Sequence, residues 1–142
     1  MARAPDELRR TIRVHASRER VWAAFTEPEL LVGWFPTIEA RVDLRVGGHM
    51  RFAWDGDADE AVIEELEPPE RLVFRWRPEG NERPYTTVTI VLRDAGHGTT
   101  ELTLTETGFA RLPDPERSIR GNETGWTDEL EELRGFLEAA AA

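Results

Sequence analysis

The chain is constrained most by the alternation of apolar and polar residues between residues 38 and 106, which short turn-forming clusters interrupt repeatedly. Successive side chains of a β-strand point to opposite faces, so this alternation predicts strands with one buried face and one exposed face. Connections this short join antiparallel neighbours. The strands are predicted at 38–45, 49–55, 60–66, 71–77, 84–93 and 99–106, and the breaks between them at Gly47-Gly48, 55–57, Pro68-Pro69, 78–83 and 94–98.

One further strand and two short helices are predicted before this region. Residues 11–16, TIRVHA, alternate in the same way and bring the number of strands to seven. Ser17 suits the N-cap of a helix, and apolar residues recur at helical spacing in the RERVWAAF stretch that follows. Pro28 and Gly33 bracket another short helix in PELLVGWF. Residues 1–9 are expected to form a disordered tail.

A long helix is predicted at the end of the chain. Asp114 can cap it and Pro115 suits its first position. One helical stripe carries Ile119, Asn122, Trp126, Leu130, Leu133 and Leu137. Gly121 and Gly125 would each cost about 1 kcal/mol relative to alanine, so either the helix begins after them or a close approach to the sheet compensates. Both options remain open at this point.

The order of elements predicts an α+β fold in a single domain spanning residues 1–142. A strand, two short helices, six strands and one long helix can hide their apolar faces if the antiparallel sheet curls around the last helix. The space between sheet and helix is then the place where a cavity would lie.

Composition excludes several classes of partner and chemistry. A formal net charge of −10 repels nucleic acid and anionic membranes, and neither is an expected partner. All 18 basic residues are arginine, so lysine Schiff-base chemistry and a Walker-type phosphate loop are excluded. Cysteine is absent and no run approaches the roughly 20 apolar residues of a membrane span, so we expect a soluble cytoplasmic protein.

The residues that usually carry catalysis or bind metals are sparse. None of His15, His49 and His97 falls at metal-ligand spacing to another histidine. The only serines, Ser17 and Ser118, lie near predicted helix starts, so a serine triad has no suitable nucleophile. A GxGxxG motif is absent. We therefore expect no catalytic residue, no metal and no cofactor.

Five stretches resemble a known family when they are taken in order. They are W…F…PELLVGWF, the hairpin DLRVGGHMRF, the stretch ELEPPERLVFRW, the strand TTELTLTETGF and the late GW…L..L..FL. In this order they are similar to single-domain bacterial proteins related to the activator of heat-shock protein 90 ATPase. That family belongs to the START-like, or helix-grip, superfamily. The resemblance implies a curved seven-stranded antiparallel sheet around the terminal helix, with two short helices after the first strand and an elongated cavity.

Three functions are compatible with this resemblance. The first is binding of a small apolar or aromatic ligand between sheet and helix. The second is action as a co-chaperone on a heat-shock chaperone ATPase; the eukaryotic activators carry an additional N-terminal domain for chaperone binding, and only a short segment precedes the first predicted strand here. The third is a polyketide cyclase-like enzyme. We expect ligand binding, with a chaperone partner disfavoured and an enzymatic role less expected than binding.

The predicted ligand site follows from strand parity and from the helical stripe. Met50, Phe52 and Trp54 share one face of their strand, and that face is expected to point toward the helix. The family places a tryptophan near the cavity mouth at the position of Trp34. The predicted ligand-binding residues are Trp34, Phe52, Trp54, Glu65, Phe74, Trp76, Asn122, Trp126 and Leu130. Their aromatic rings are expected to surround a space that they do not completely fill.

Few polar groups are candidates for orienting a ligand. Asn122 lies on the helical stripe, and Glu65 has the same parity as Ile63, so both are expected to point into the cavity. Tyr85, the only tyrosine, is expected at the rim. The acidic run DELEEL, residues 128–133, is predicted to be the solvated back of the helix.

Overall fold

The computed structural model describes residues 6–77 and 85–141 and has the predicted α+β architecture. The predicted break at 78–83 and the first residue of the predicted strand 84–93 lie outside the described residues. In chain order the elements are β1 (Glu7–Val14), α1 (Arg18–Thr26), α2 (Pro28–Trp34), β2 (Glu39–Val42), β3 (His49–Trp54), β4 (Asp57–Glu67), β5 (Arg71–Arg77), β6 (Thr86–Gly96), β7 (Thr99–Thr107), a 3-10 turn (Phe109–Arg111) and α3 (Pro115–Ala141).

The seven strands form one curved antiparallel sheet in the order β1-β7-β6-β5-β4-β3-β2. Every neighbouring pair except β1 and β7 is consecutive in the chain, as the short predicted turns require. The apolar face of the sheet and the three helices enclose one continuous core. The prediction of a sheet that grips the terminal helix is therefore confirmed.

The first strand begins earlier than the sequence pattern indicated. β1 starts at Glu7 rather than at residue 11, so residues 7–9 of the predicted disordered tail belong to the sheet, whereas residues 1–5 of that tail lie outside the described residues. Leu8 is almost completely buried and pairs with Glu106 of β7. Arg10 donates to a carboxylate oxygen of Glu123 in α3 at 2.8 Å. One isolated leucine among charged residues gave too weak an alternation to predict this part of the strand.

The terminal helix is continuous from Pro115, so the first option, a helix that begins after the two glycines, is wrong. Asp114 accepts a hydrogen bond from the backbone N–H of Arg117, as expected of a capping residue. Close approach to the sheet does not explain the two glycines, because a Cβ atom at Gly121 or Gly125 would have no neighbour within 4 Å. The two glycines lower the stability of the helix without allowing a closer contact with the sheet, and they leave open space beside the helix.

Gly33 shows the opposite situation, where a helix approaches another closely. A Cβ atom at this position of α2 would lie 2.5 Å from Cε1 of Phe136 in α3. We expect Gly33→Ala to lower the free energy of unfolding by about 1 kcal/mol, since overpacking costs about 1–3 kcal/mol and helix propensity returns about 1 kcal/mol. Urea denaturation measures the change. Gly135→Ala, which meets open space in α3, is the control, and equal stability of the two variants would contradict the close approach.

In the described part of the chain, no helix is both long enough and apolar enough to cross a membrane.

Candidate functional site

The aromatic residues that were predicted to surround a cavity pack closely against one another. Phe35 lies at the centre, with its ring centroid 5.0 Å from Phe52, 5.4 Å from Trp34, 6.0 Å from Trp76 and 6.3 Å from Trp126. Edge-to-face and tilted contacts of this kind fill a core densely. The space left among the rings is only about 10 Å³. No ligand-sized gap therefore lies among these clustered rings themselves.

A larger cavity lies beside this cluster, between α3 and the sheet, and has a volume of about 120 Å³. It is lined by Phe35, Trp76, Glu106, Gly121, Asn122, Gly125, Trp126 and Glu129. The residues that α3 contributes recur at spacings of three and four, which places them on one face of the helix. The two glycines lack side chains on that face, and this is what leaves the cavity open.

Glu106 forms the polar floor of the cavity. Its side chain points inward from β7 and the residue is only 1% exposed. Three donors bind the carboxylate: the Thr86 hydroxyl at 2.6 Å, the Asn122 amide at 3.1 and 3.2 Å, and the Trp126 indole N–H at 2.9 Å. Such hydrogen bonds satisfy a buried carboxylate and hold the side chains from β6, β7 and α3 in one arrangement.

Glu129 lies on α3 at the same cavity and has an altered proton affinity. Burial, followed by the negative charges of Glu106 and Asp128, raises the pKa of the Glu129 carboxyl from 4.5 to about 7. The cavity therefore contains two carboxyl groups, of which one is held by three donors and the other changes its charge near neutral pH. This pair can accept hydrogen bonds, attract a cation or exchange a proton with a bound molecule.

Three of the predicted ligand-binding residues line this cavity, namely Trp76, Asn122 and Trp126. Trp34, Phe52 and Phe74 belong to the packed aromatic cluster instead. The indole N–H of Trp34 donates to the carbonyl oxygen of Ala24, so that polar atom already has a partner. Leu130 is buried in the core, and Trp54 lies half-buried at the end of β3, packed against the core.

The predicted inward position of Glu65 is wrong because a β-bulge shifts the strand register. Ile63 pairs with Phe74, but Glu65 pairs with Val73, so one extra residue of β4 intervenes. The bulge places Glu65 on the exposed face, where Arg71 Nε lies 3.3 Å from its carboxylate. A strict two-residue alternation, which the prediction assumed, does not hold across a bulge.

Tyr85 lies just before β6 and is half-buried. The guanidinium carbon of Arg75 lies 4.9 Å from the centroid of its ring, which is within the range of a cation–π contact. It is not among the residues that line the cavity.

The two most polar residues of the cavity were missed by the sequence prediction, although the sequence contains a signal for each. Glu106 has the same strand parity as Leu102 and Leu104, which are fully buried on the inner face of the sheet. Glu129 follows Trp126 by three positions on α3. It was assigned to the solvated acidic run, and the structure places Leu130 and Leu133 of that run in the core with Glu129 half-buried.

Within 6–77 and 85–141, no three side chains of the histidine or carboxylate type lie together as a metal-binding group.

The sheet, the enclosed helix and the cavity between them define a helix-grip protein. A family model described as activator of Hsp90 ATPase homolog 1-like protein matches residues 15–138, and the chain belongs to that family. This confirms the family that the five sequence stretches indicated.

Solved structures give the same fold. CalU16 from Micromonospora echinospora is 31% identical, with a TM-score of 0.74 over 92% of this chain and 75% of that one. DynU16, described as a putative protein in the dynemicin biosynthetic locus, is 27% identical with a TM-score of 0.77, over 96% of this chain and 48% of that one. PFC0360w, described as an HSP90 activator from Plasmodium falciparum, is 23% identical with a TM-score of 0.77, over 94% of this chain and 97% of that one. Among curated proteins, no sequence matches significantly.

Proposed function

We propose that this protein binds a small molecule in the cavity between α3 and the sheet. The observation that carries the proposal is a space of about 120 Å³ with aromatic walls and a carboxylate floor. For comparison, an engineered apolar cavity of about 150 Å³ binds benzene. The guest, or the part of a larger guest that enters, is therefore about one ring in size.

Affinity for such a guest needs both apolar and polar contacts. Burying about 150 Å² of apolar surface at about 25 cal/mol per Å² contributes about 4 kcal/mol. Losses of translational and rotational freedom are of similar size, so apolar contact alone gives weak binding. Polar contacts to the two carboxyl groups would supply the rest and would fix the orientation of the ligand.

Filling the cavity from the helix is expected to block binding. In Gly125→Leu a leucine side chain would extend into the open space beside the glycine, and we expect at least a tenfold loss of affinity for ring-sized fragments such as phenol. Binding is followed by NMR through the indole N–H of Trp126, which contacts Glu106 at the cavity floor. The indole N–H of Trp34, which donates a hydrogen bond to the carbonyl oxygen of Ala24, is a reference signal in the same spectrum.

Gly135→Leu is the matched control, because it changes an exposed glycine of the same helix that does not line the cavity. Phenol should bind this variant as it binds the unmodified protein. Undiminished binding to Gly125→Leu would contradict the proposed site.

Acid–base catalysis on a bound molecule, as in a polyketide cyclase, is a second candidate function. It is favoured by the Glu129 carboxyl, because a pKa of about 7 suits a group that exchanges protons near neutral pH. The similarity to DynU16 is consistent with this chemistry, since that protein is described as belonging to a biosynthetic locus.

The second function is tested with a cyclisable polyketide-like substrate. A rate that changes with pH near 7 and is lost in Glu129→Gln, but retained in Glu65→Gln, would support catalysis. Stimulation of a chaperone ATPase, which the family description suggests, is tested by adding the protein to a purified chaperone.

A further inference from the structure

The cavity has an electrostatic character that restricts its ligand. Glu106 and Glu129 are its charged lining residues, and the described lining includes no arginine or histidine. The other walls are aromatic, with rings from Phe35, Trp76 and Trp126 whose centroids lie 6.0 to 6.3 Å apart. Carboxylates and aromatic faces both attract positive charge, the latter through the ring quadrupole.

The two carboxyl groups differ in their capacity for a new partner. Glu106 receives four hydrogen-bond contacts from three donors, which nearly exhausts its lone pairs. Within residues 6–77 and 85–141, no side chain or backbone group donates a hydrogen bond to the Glu129 carboxyl. A hydrogen-bond donor of a ligand in the cavity would therefore bind the Glu129 carboxyl directly. If that donor is positively charged, the nearby Glu106 carboxylate would attract it as well.

We propose that the ligand is a small organic cation, in which a protonated amine is attached to an apolar group of about one ring. This inference rests on the proposed ligand-binding function and names the chemical class of the ligand. The ammonium group would donate to Glu129 while the apolar part packs against Trp76 and Trp126. An anionic ligand would be repelled by the two carboxyl groups. A neutral ligand would not reduce the repulsion between Glu106 and Glu129, whereas a cation would.

The pH dependence of binding follows from the groups around Glu129. Glu106 faces it from the sheet, Asp128 adjoins it on α3, and Phe35 contributes no charge from the segment after α2. A cation stabilises the ionised form of Glu129, so binding releases a proton when the free protein holds one. Affinity for a cation should therefore be about tenfold higher at pH 8 than at pH 5.5, whereas affinity for a neutral ligand should not rise.

A matched pair of probes tests the inference. Cyclopentylammonium and cyclopentanol have the same ring and the same number of heavy atoms, and differ in charge. Each is titrated into the full chain at pH 5.5 and pH 8, with the Trp126 indole N–H as the reporter. We expect the ammonium to bind at least tenfold more tightly than the alcohol at pH 8. Glu129→Gln should remove most of this preference, because it weakens binding of the ammonium far more than binding of the alcohol.

The outcomes separate the two proposals. Equal affinity for ammonium and alcohol would overturn the cation preference and leave the ligand site supported. Tighter binding of cyclopentanecarboxylate would do the same. Failure of both probes and of phenol to shift the Trp126 signal would overturn the cation preference together with the binding function. A preference for the ammonium that persists in Glu129→Gln would assign the recognition to other groups and would contradict the role of Glu129.

Discussion

Replacing Glu106 with alanine is expected to lower the free energy of unfolding by about 3 to 5 kcal/mol. The substitution leaves Thr86, Asn122 and Trp126 without the acceptor that they share, and an orphaned buried donor costs about 1–3 kcal/mol. Water in the adjoining cavity can accept hydrogen bonds from some of these donors. Removing Glu106 also removes its repulsion of Glu129. The expected loss of stability is therefore smaller than the sum for three orphaned donors. Urea denaturation with a linear extrapolation measures the effect.

Glu101→Ala is a suitable control for Glu106→Ala. Glu101 lies on the opposite face of the same strand, and its carboxylate is 3.8 Å from the Arg13 guanidinium, a weak solvent-exposed ion pair, so its loss should change stability by less than about 0.5 kcal/mol. Thr86→Val should cost an intermediate amount, because it removes one of the three donors and leaves the acceptor in place. A Glu106→Ala variant as stable as Glu101→Ala would show that the buried network contributes nothing.

The second large effect is a dependence of stability on pH that Glu129 causes. The pKa of this carboxyl is about 7 in the folded protein and 4.5 in its ordinary state, so the folded protein binds the proton more tightly. The free energy of unfolding therefore falls as the pH rises from about 4.5 to about 7, by up to about 3 kcal/mol before solvent screening reduces it. Below about pH 4.5 and above about pH 7, Glu129 does not make the free energy of unfolding change with pH.

Glu129→Gln should remove that slope. The variant is expected to be more stable than the unmodified protein at pH 8 and nearly equal to it at pH 4, as measured by denaturation at both values. Glu132→Gln, an exposed acid in the same helix, is the matched control and should leave the slope unchanged. A Glu129→Gln variant that retains the full pH dependence would contradict the altered proton affinity of this residue.

Most of the fold could be predicted from residue patterns alone. Alternation over β3 to β7 and the glycine and proline turns define strands that pair with their neighbours in the chain. The apolar stripe of α3 likewise identifies the helix face that the sheet covers. These features are local, and they depend on the spacing of a few consecutive residues.

The candidate site could be predicted only in part. Trp76, Asn122 and Trp126 were identified because parity and helical spacing give the direction of a side chain. The same rule failed at Glu65, since a bulge in β4 changes parity without any clear mark in the sequence. Whether aromatic rings leave a gap depends on their mutual tilt, which periodicity does not describe.

By itself the sequence determined the number of strands, their order along the chain and the face of the last helix that turns inward, because each depends on short-range periodicity. The family was indicated by the resemblance of five stretches taken in order. Only the tertiary structure decided that the rings pack together and that the open space lies beside Gly121 and Gly125. It also joined Glu106 to Asn122 and Trp126, which are 16 and 20 residues further along the chain. Contacts between different elements, and the burial that raises the pKa of Glu129, exist only when sheet and helix are packed together.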